Sequence, residues 1–122
     1  MPSAQRICMS SDLPSLGHGH RFAVFDGTRS HAAFVVRYGT AIYAYLNRCR
    51  HQALELDWNP GVFFDTGGRY LLCATHGASY EPSNGRCVGG PCNGRGLVPL
   101  DVKEQGDAVL LHDDRYTLGK SR

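Results

Sequence analysis

Ala33-Phe34-Val35-Val36-Arg37-Tyr38-Gly39-Thr40-Ala41-Ile42-Tyr43-Ala44-Tyr45-Leu46 decides the fold. β-Branched and aromatic residues dominate both arms, as a pleated, half-buried surface requires. Gly39-Thr40 interrupts them, and a glycine between two such runs predicts a β-hairpin. Upstream, residues 21–25 read as a strand running into the Asp26-Gly27 turn. Downstream, short apolar runs recur at 62–64, 70–72, 97–102 and 108–111. Asn59-Pro60-Gly61, Gly67-Gly68, Ser83-Asn84-Gly85 and Gly89-Gly90-Pro91 punctuate them. No window sustains a helical period over about ten residues. The predicted fold class is all-β, built from small antiparallel sheets.

The 122 residues suit one domain, with a core from about residue 21 to 112 and a polar N-terminus and C-terminal tail expected to be loose. A 42% hydrophobic and 20% charged composition describes an ordinary globular protein able to bury a core without disulfides. With 13 Lys and Arg against 11 Asp and Glu, and no basic cluster, the chain has no electrostatic footprint for nucleic acid. Its longest apolar runs are too short to cross a bilayer as a helix. The first twenty residues hold no signal-peptide core, so the expected location is cytoplasmic. Five cysteines in a reducing compartment need an explanation other than a disulfide framework.

Two short motifs supply one. Cys49-Arg50-His51 follows the second arm of the hairpin, and Cys73-Ala74-Thr75-His76-Gly77 follows the run at 70–72. Each pairs one Cys with one His just past a strand end, where a loop can aim ligands from a rigid support. Thiolates bind iron-sulfur clusters, and imidazoles can replace thiolates on one of two irons. Neutral imidazoles leave the site less negative, so an electron enters more easily and the potential rises. Two Cys and two His also satisfy tetrahedral zinc. Zinc fingers, however, usually space Cys with Cys and His with His, and they stabilise chains too small to fold alone.

C-x-H followed by C-x-x-H in a glycine-rich β chain resembles the Rieske domain, from about Phe22 to about Leu111. The resemblance implies one 2Fe-2S cluster, with Cys49 and Cys73 on the inner iron and His51 and His76 on the outer, solvent-facing one. Gly85-Arg86-Cys87-Val88-Gly89-Gly90-Pro91-Cys92 resembles the family's third loop, which covers the cluster, with Pro91 packed there. One departure is the 21 residues between His51 and Cys73, more than small Rieske ferredoxins usually have. The extra residues are expected around 58–68, as an additional hairpin.

The resemblance also bears on tuning. High-potential Rieske proteins of respiratory cytochrome bc complexes place a Ser and a Tyr hydroxyl after the second His ligand, and they staple the two ligand loops with a disulfide. Here Ala78 and Tyr80 occupy the hydroxyl positions, and Leu54 and Thr75 the staple positions. One hydroxyl is retained and the staple is missing. The expected potential is intermediate within the family's span of about −150 to +300 mV.

Bland readings cover the remaining candidates. Cys87 and Cys92 are expected as reduced, partly buried thiols, a disulfide or redox switch being the alternative. Cys8 reads as a free thiol in the N-terminus, His18 and His20 as a solvated loop, and His31 and His112 as surface residues. Trp58, Phe63 and Phe64 read as core rather than as a docking patch. Arg50 stands between two ligands, either lending positive charge to the cluster or simply facing solvent.

The function expected from the resemblance is one-electron transfer by a Rieske ferredoxin-like carrier. It would receive electrons from a flavin-dependent reductase and deliver them to an oxygenase or other acceptor, with no catalytic residues of its own. The alternative is a small Rieske subunit of a larger oxidoreductase, such as a nitrite reductase or a ring-hydroxylating oxygenase system. Rieske oxygenases work at a separate iron held by two His and a carboxylate, for which the chain is expected to lack space.

Overall fold

The computed structural model describes residues 5–48, 56–57, 61–65, 67–73, 77–90 and 96–118. Their eleven strands are β1 (Gln5–Met9), β2 (His20–Phe25), β3 (Ser30–Tyr38), β4 (Ala41–Leu46), β5 (Leu71–Leu72), β6 (Ser79–Tyr80), β7 (Cys87–Gly89), β8 (Pro99–Leu100), β9 (Val102–Gln105), β10 (Ala108–Leu111) and β11 (Thr117–Leu118). They form three antiparallel sheets ordered β1-β10-β9, β11-β2-β3-β4-β8 and β5-β6-β7. A single 3-10 turn at Ser10–Asp12 is the one helical element among the described residues. No described helix is long and apolar enough to cross a membrane.

The predicted hairpin is the centre of the five-stranded sheet. Tyr38 pairs with Ala41 beside the turn, and the ladder runs to Ala33 opposite Leu46. Because side chains alternate along a strand, β3 feeds two cores. Phe34 and Val36 enter one with Tyr45, Leu56, Phe63, Leu71, Cys73, Ala78 and Tyr80. Ala33 and Val35 enter the other with Cys8, Leu13, Val24, Val109 and Leu111. In the first core Phe34 stacks on Phe63, ring centroids 4.0 Å apart. Each such ring removed from water contributes about 1.5–3 kcal/mol. The small sheet β5-β6-β7 is thereby welded to the central sheet through this core.

The extra hairpin was expected around 58–68; the described residues show instead a short antiparallel pairing of 63–65 with 70–72. Leu72 N–H donates to Phe63 O at 2.8 Å and Asp65 N–H to Tyr70 O at 2.9 Å. Asp65 Oδ1 accepts the Arg69 N–H at 2.9 Å, which caps the turn. Phe63 and Phe64 are core residues, as expected, and Trp58 lies outside the described residues.

Both ends of the chain depart from the loose tails expected. β1 pairs with β10, and Cys8 and Leu13 are buried. Cys8 is a free thiol, but burial and then the nearby Asp12 carboxylate push it up to about 11. β11 pairs with β2. Leu118 N–H donates to the Gln5 side-chain oxygen at 2.9 Å, joining the two ends of the chain. These elements were concealed because a short edge strand buries few of its side chains. His31 also departs from the surface reading: its Nε2 lies 2.8 Å from Asp26 Oδ2 and its ring meets Tyr116 edge-on. His112 is exposed, as expected.

Candidate metal centre

β5 ends at Leu72, and the next residue, Cys73, is a fully buried, reduced cysteine. Two backbone bonds shape the loop that follows: Gly77 N–H donates to Cys73 O and Cys73 N–H donates to Ala78 O, both at 2.8 Å. Gly77 adopts φ +77°, the left-handed conformation that such a tight return favours in glycine. β6 then runs antiparallel to β5, with Tyr80 opposite Leu71 and fully buried. The sequence-predicted residues Cys73 and Tyr80 thus share one core. Cys49, His51, His76 and Pro91 lie outside the described residues, as do Arg50, Leu54 and Thr75.

The third loop leaves β7 directly onto this return. A Cβ built on Gly90 would lie 2.5 Å from Gly77 O and 2.7 Å from Ala78 Cα. Two backbones therefore meet where only a glycine fits. The turn beneath is held by Tyr45, whose hydroxyl donates to Pro82 O at 2.7 Å inside the protein. Burial, then the neighbouring Tyr43, raises the Tyr45 phenol well above its ordinary value. It stays protonated as a donor.

Cys87 corrects an expectation, because it is disulfide-bonded rather than a reduced thiol. Cys49 and Cys92 lie outside the described residues. The reduced reading rested on compartment alone. Cys87 stands on β7, the strand that leads into the third loop.

The sequence reading overlooked a polar network at the first ligand segment. Asn47, Asp57 and Arg21 converge there, with Asn47 and Asp57 buried. Its only signal was Asn47 and Asp57 standing on either side of the segment that contains Cys49 and His51, both of a type common in turns.

Among the described residues no group of three or more His, Cys, Asp or Glu side chains could hold a metal ion. Cys73 is the one candidate ligand among them. A buried sulfur donor at the root of a glycine-pinned loop, with Gly90 packed against that loop, fits a cluster held by two thiolates and two imidazoles. The geometry defines an all-β domain whose β5–β6 loop opens on a buried cysteine. The sequence matches the Rieske [2Fe-2S] domain family over residues 3–106, and the chain belongs to that family. Its cofactor is one 2Fe-2S cluster.

No curated protein sequence matches the chain. Among solved structures it is similar to the ferredoxin of carbazole 1,9a-dioxygenase from Nocardioides aromaticivorans, at 22% identity and TM-score 0.72, covering 93% of this chain and 100% of that one. It is similar to a ferredoxin from Sphingomonas yanoikuyae, at 19% identity and TM-score 0.66, covering 89% and 97%. It also resembles part of a chain in the reduced oxygenase–ferredoxin complex of carbazole 1,9a-dioxygenase, at 16% identity and TM-score 0.71, covering 88% of this chain and 27% of that one. At these identities the likeness is one of fold.

Proposed function

We propose that the chain is a one-electron carrier of the Rieske ferredoxin type, not itself a catalyst, and that Cys49, His51, Cys73 and His76 hold its cluster. The buried sulfur of Cys73 at the root of a loop returned through Gly77 carries this reading. A 2Fe-2S cluster, when bound, supplies a redox centre that changes by one electron. Cys49 and Cys73 would ligate the inner iron and His51 and His76 the outer. Tyr80 would donate its hydroxyl toward the cluster from the core side, and Pro91 would help shield it. The neutral imidazoles lower the negative charge of the donor set, which favours the reduced state.

The partners on this reading are a flavin-dependent reductase and an oxygenase or other acceptor, in the cytoplasm. The full-length match to a dioxygenase ferredoxin supports a separate carrier. The match to about a quarter of a longer chain favours a second reading, a Rieske unit within a larger oxidoreductase.

Electron paramagnetic resonance of the dithionite-reduced protein tests the donor set. The expected spectrum has an average g value below that of all-thiolate clusters, and His51→Ala and His76→Ala each abolish it. A reconstituted protein without iron and acid-labile sulfide, or a spectrum indifferent to both substitutions, overturns the reading. Reduction by a flavin-dependent reductase with onward transfer to an oxygenase separates the carrier from the subunit, which would instead co-purify with a larger chain.

A further inference from the structure

The segment carrying Cys49 and His51 begins just after Asn47 and ends just before Leu56-Asp57, and the side chains of Asn47 and Asp57 bond to each other. Asn47 Nδ2 donates to Asp57 Oδ1 at 2.9 Å, and Asn47 Oδ1 accepts the Leu56 backbone N–H at 2.8 Å. Asp57 Oδ2 accepts the Gly61 N–H at 2.9 Å and lies 3.0 Å from Arg21 Nε. The Asp57 side chain is wholly buried, while that of Arg21 is 41% exposed and reaches in from β2.

A buried carboxylate costs several kcal/mol unless its lone pairs are used. Here two N–H donors and a guanidinium use them. An apolar pair would draw the ends together without that cost, but it would not fix their direction. Hydrogen bonds do, and ligand pairs must be held to within about 0.5 Å. Groups behind the ligands commonly set that precision.

We propose that Asn47 and Asp57 are positioning residues for the cluster: their bonded pair closes the neck of the first ligand segment and fixes how it presents Cys49 and His51, with Arg21 tying the neck to the central sheet. This rests on the chain being a cluster-binding carrier.

A charge swap tests it. In Asn47→Asp two carboxylates face each other. In Asp57→Asn one donor faces another whichever way the amide turns. The double variant N47D/D57N remakes every hydrogen bond but not the ion pair with Arg21. The carboxylate, now at position 47, accepts from Leu56 N–H and from the amide, now at position 57, whose oxygen accepts from Gly61 and Arg21. In the holoprotein, each single variant should release its cluster about tenfold faster under chelator challenge, as losing a hydrogen bond to a charged group implies. Each should also shift the g values and the midpoint potential. The swap should return all three toward wild type, with release slower than in either single variant. Hydrogen exchange across residues 56–61 should follow the same order, fast in the single variants and slow again in the swap. Single variants indistinguishable from wild type overturn the proposal. So does a swap that folds and loads fully yet keeps the altered g values and release rate. Failure of the wild type to take up a 2Fe-2S cluster would strike the carrier reading instead, and the exchange order would then decide the neck by itself.

Discussion

Tyr80 shows how one hydroxyl can be assigned a measurable role. It is fully buried in the core that contains Cys73, and Ala78, two residues before it, has no hydroxyl to share the task. If its bond toward the cluster strengthens by about 1 kcal/mol on reduction, it raises the midpoint by about 40 mV for one electron. Tyr80→Phe should lower the midpoint by about that amount in protein-film voltammetry, and an unchanged or raised value would refute the assignment. The candidate ligands are proposed from a local pattern, a Cys and a His within a few positions, twice, after strands, and of the four only Cys73 is among the described residues. Asn47 and Asp57 were not legible in the sequence. They stand ten positions apart, and loops use both residues for ordinary turns, so only the fold reveals that they face each other.

For the elements, legibility followed burial. β4 and β10 are continuous apolar runs and were read to the residue, while β3 was read from Ala33, three residues inside its start at Ser30. β6 and β7 hold two and three residues, too few to show any period. β1 and β11 are short edge strands, and long-range pairing rather than local pattern creates them. Yet β5, β6 and β7 lead into Cys73 and carry Tyr80, and the tolerance of this region hinges on the seam between β7 and the loop at Gly77. Gly90→Ala would put its Cβ against Gly77 O in addition to straining a residue at φ +77°. Gly106→Ala imposes a similar strain, at φ +60°, with nothing within 4 Å of the new atom. Strain alone costs about 1–3 kcal/mol. Gly90→Ala should therefore lower the melting temperature by more than Gly106→Ala and also accelerate cluster loss, which the control should not. Equal shifts in thermal unfolding, with equal cluster retention, would show that the seam yields.

Across the whole molecule, ion pairs and hydrogen bonds lash distant strands together. Arg37 on β3 donates from Nε to Leu13 O at 2.7 Å and pairs with Glu104 on β9, which ties the central sheet to the β1-β10-β9 sheet and to the N-terminal segment. Asp113 does the same at the other end. It accepts the Asp101 N–H at 2.9 Å and the Arg115 guanidinium at 2.8 Å, while Arg115 also reaches Pro99 O. Burial raises the Asp113 carboxyl, but the hydrogen bonds from Arg115 and the Asp101 N–H outweigh it and hold it at about 2, below its ordinary 3.8. A depressed carboxyl stabilises the fold in full above its unfolded value and ceases to as the pH falls through the folded one. Asp113→Asn should therefore cost stability at pH 7 and progressively less between about pH 4 and pH 2. Urea midpoints at pH 7 and pH 2 measure this, and an equal loss at both would contradict it.

The oxidised sulfur at Cys87 has a practical corollary. Two batches of identical sequence, one stored with a dithiol and one without, can differ by two hydrogens at the strand that leads onto the covering loop. Dithiothreitol thus ceases to be an inert buffer component for this protein, and batches compared with one another need a common thiol history.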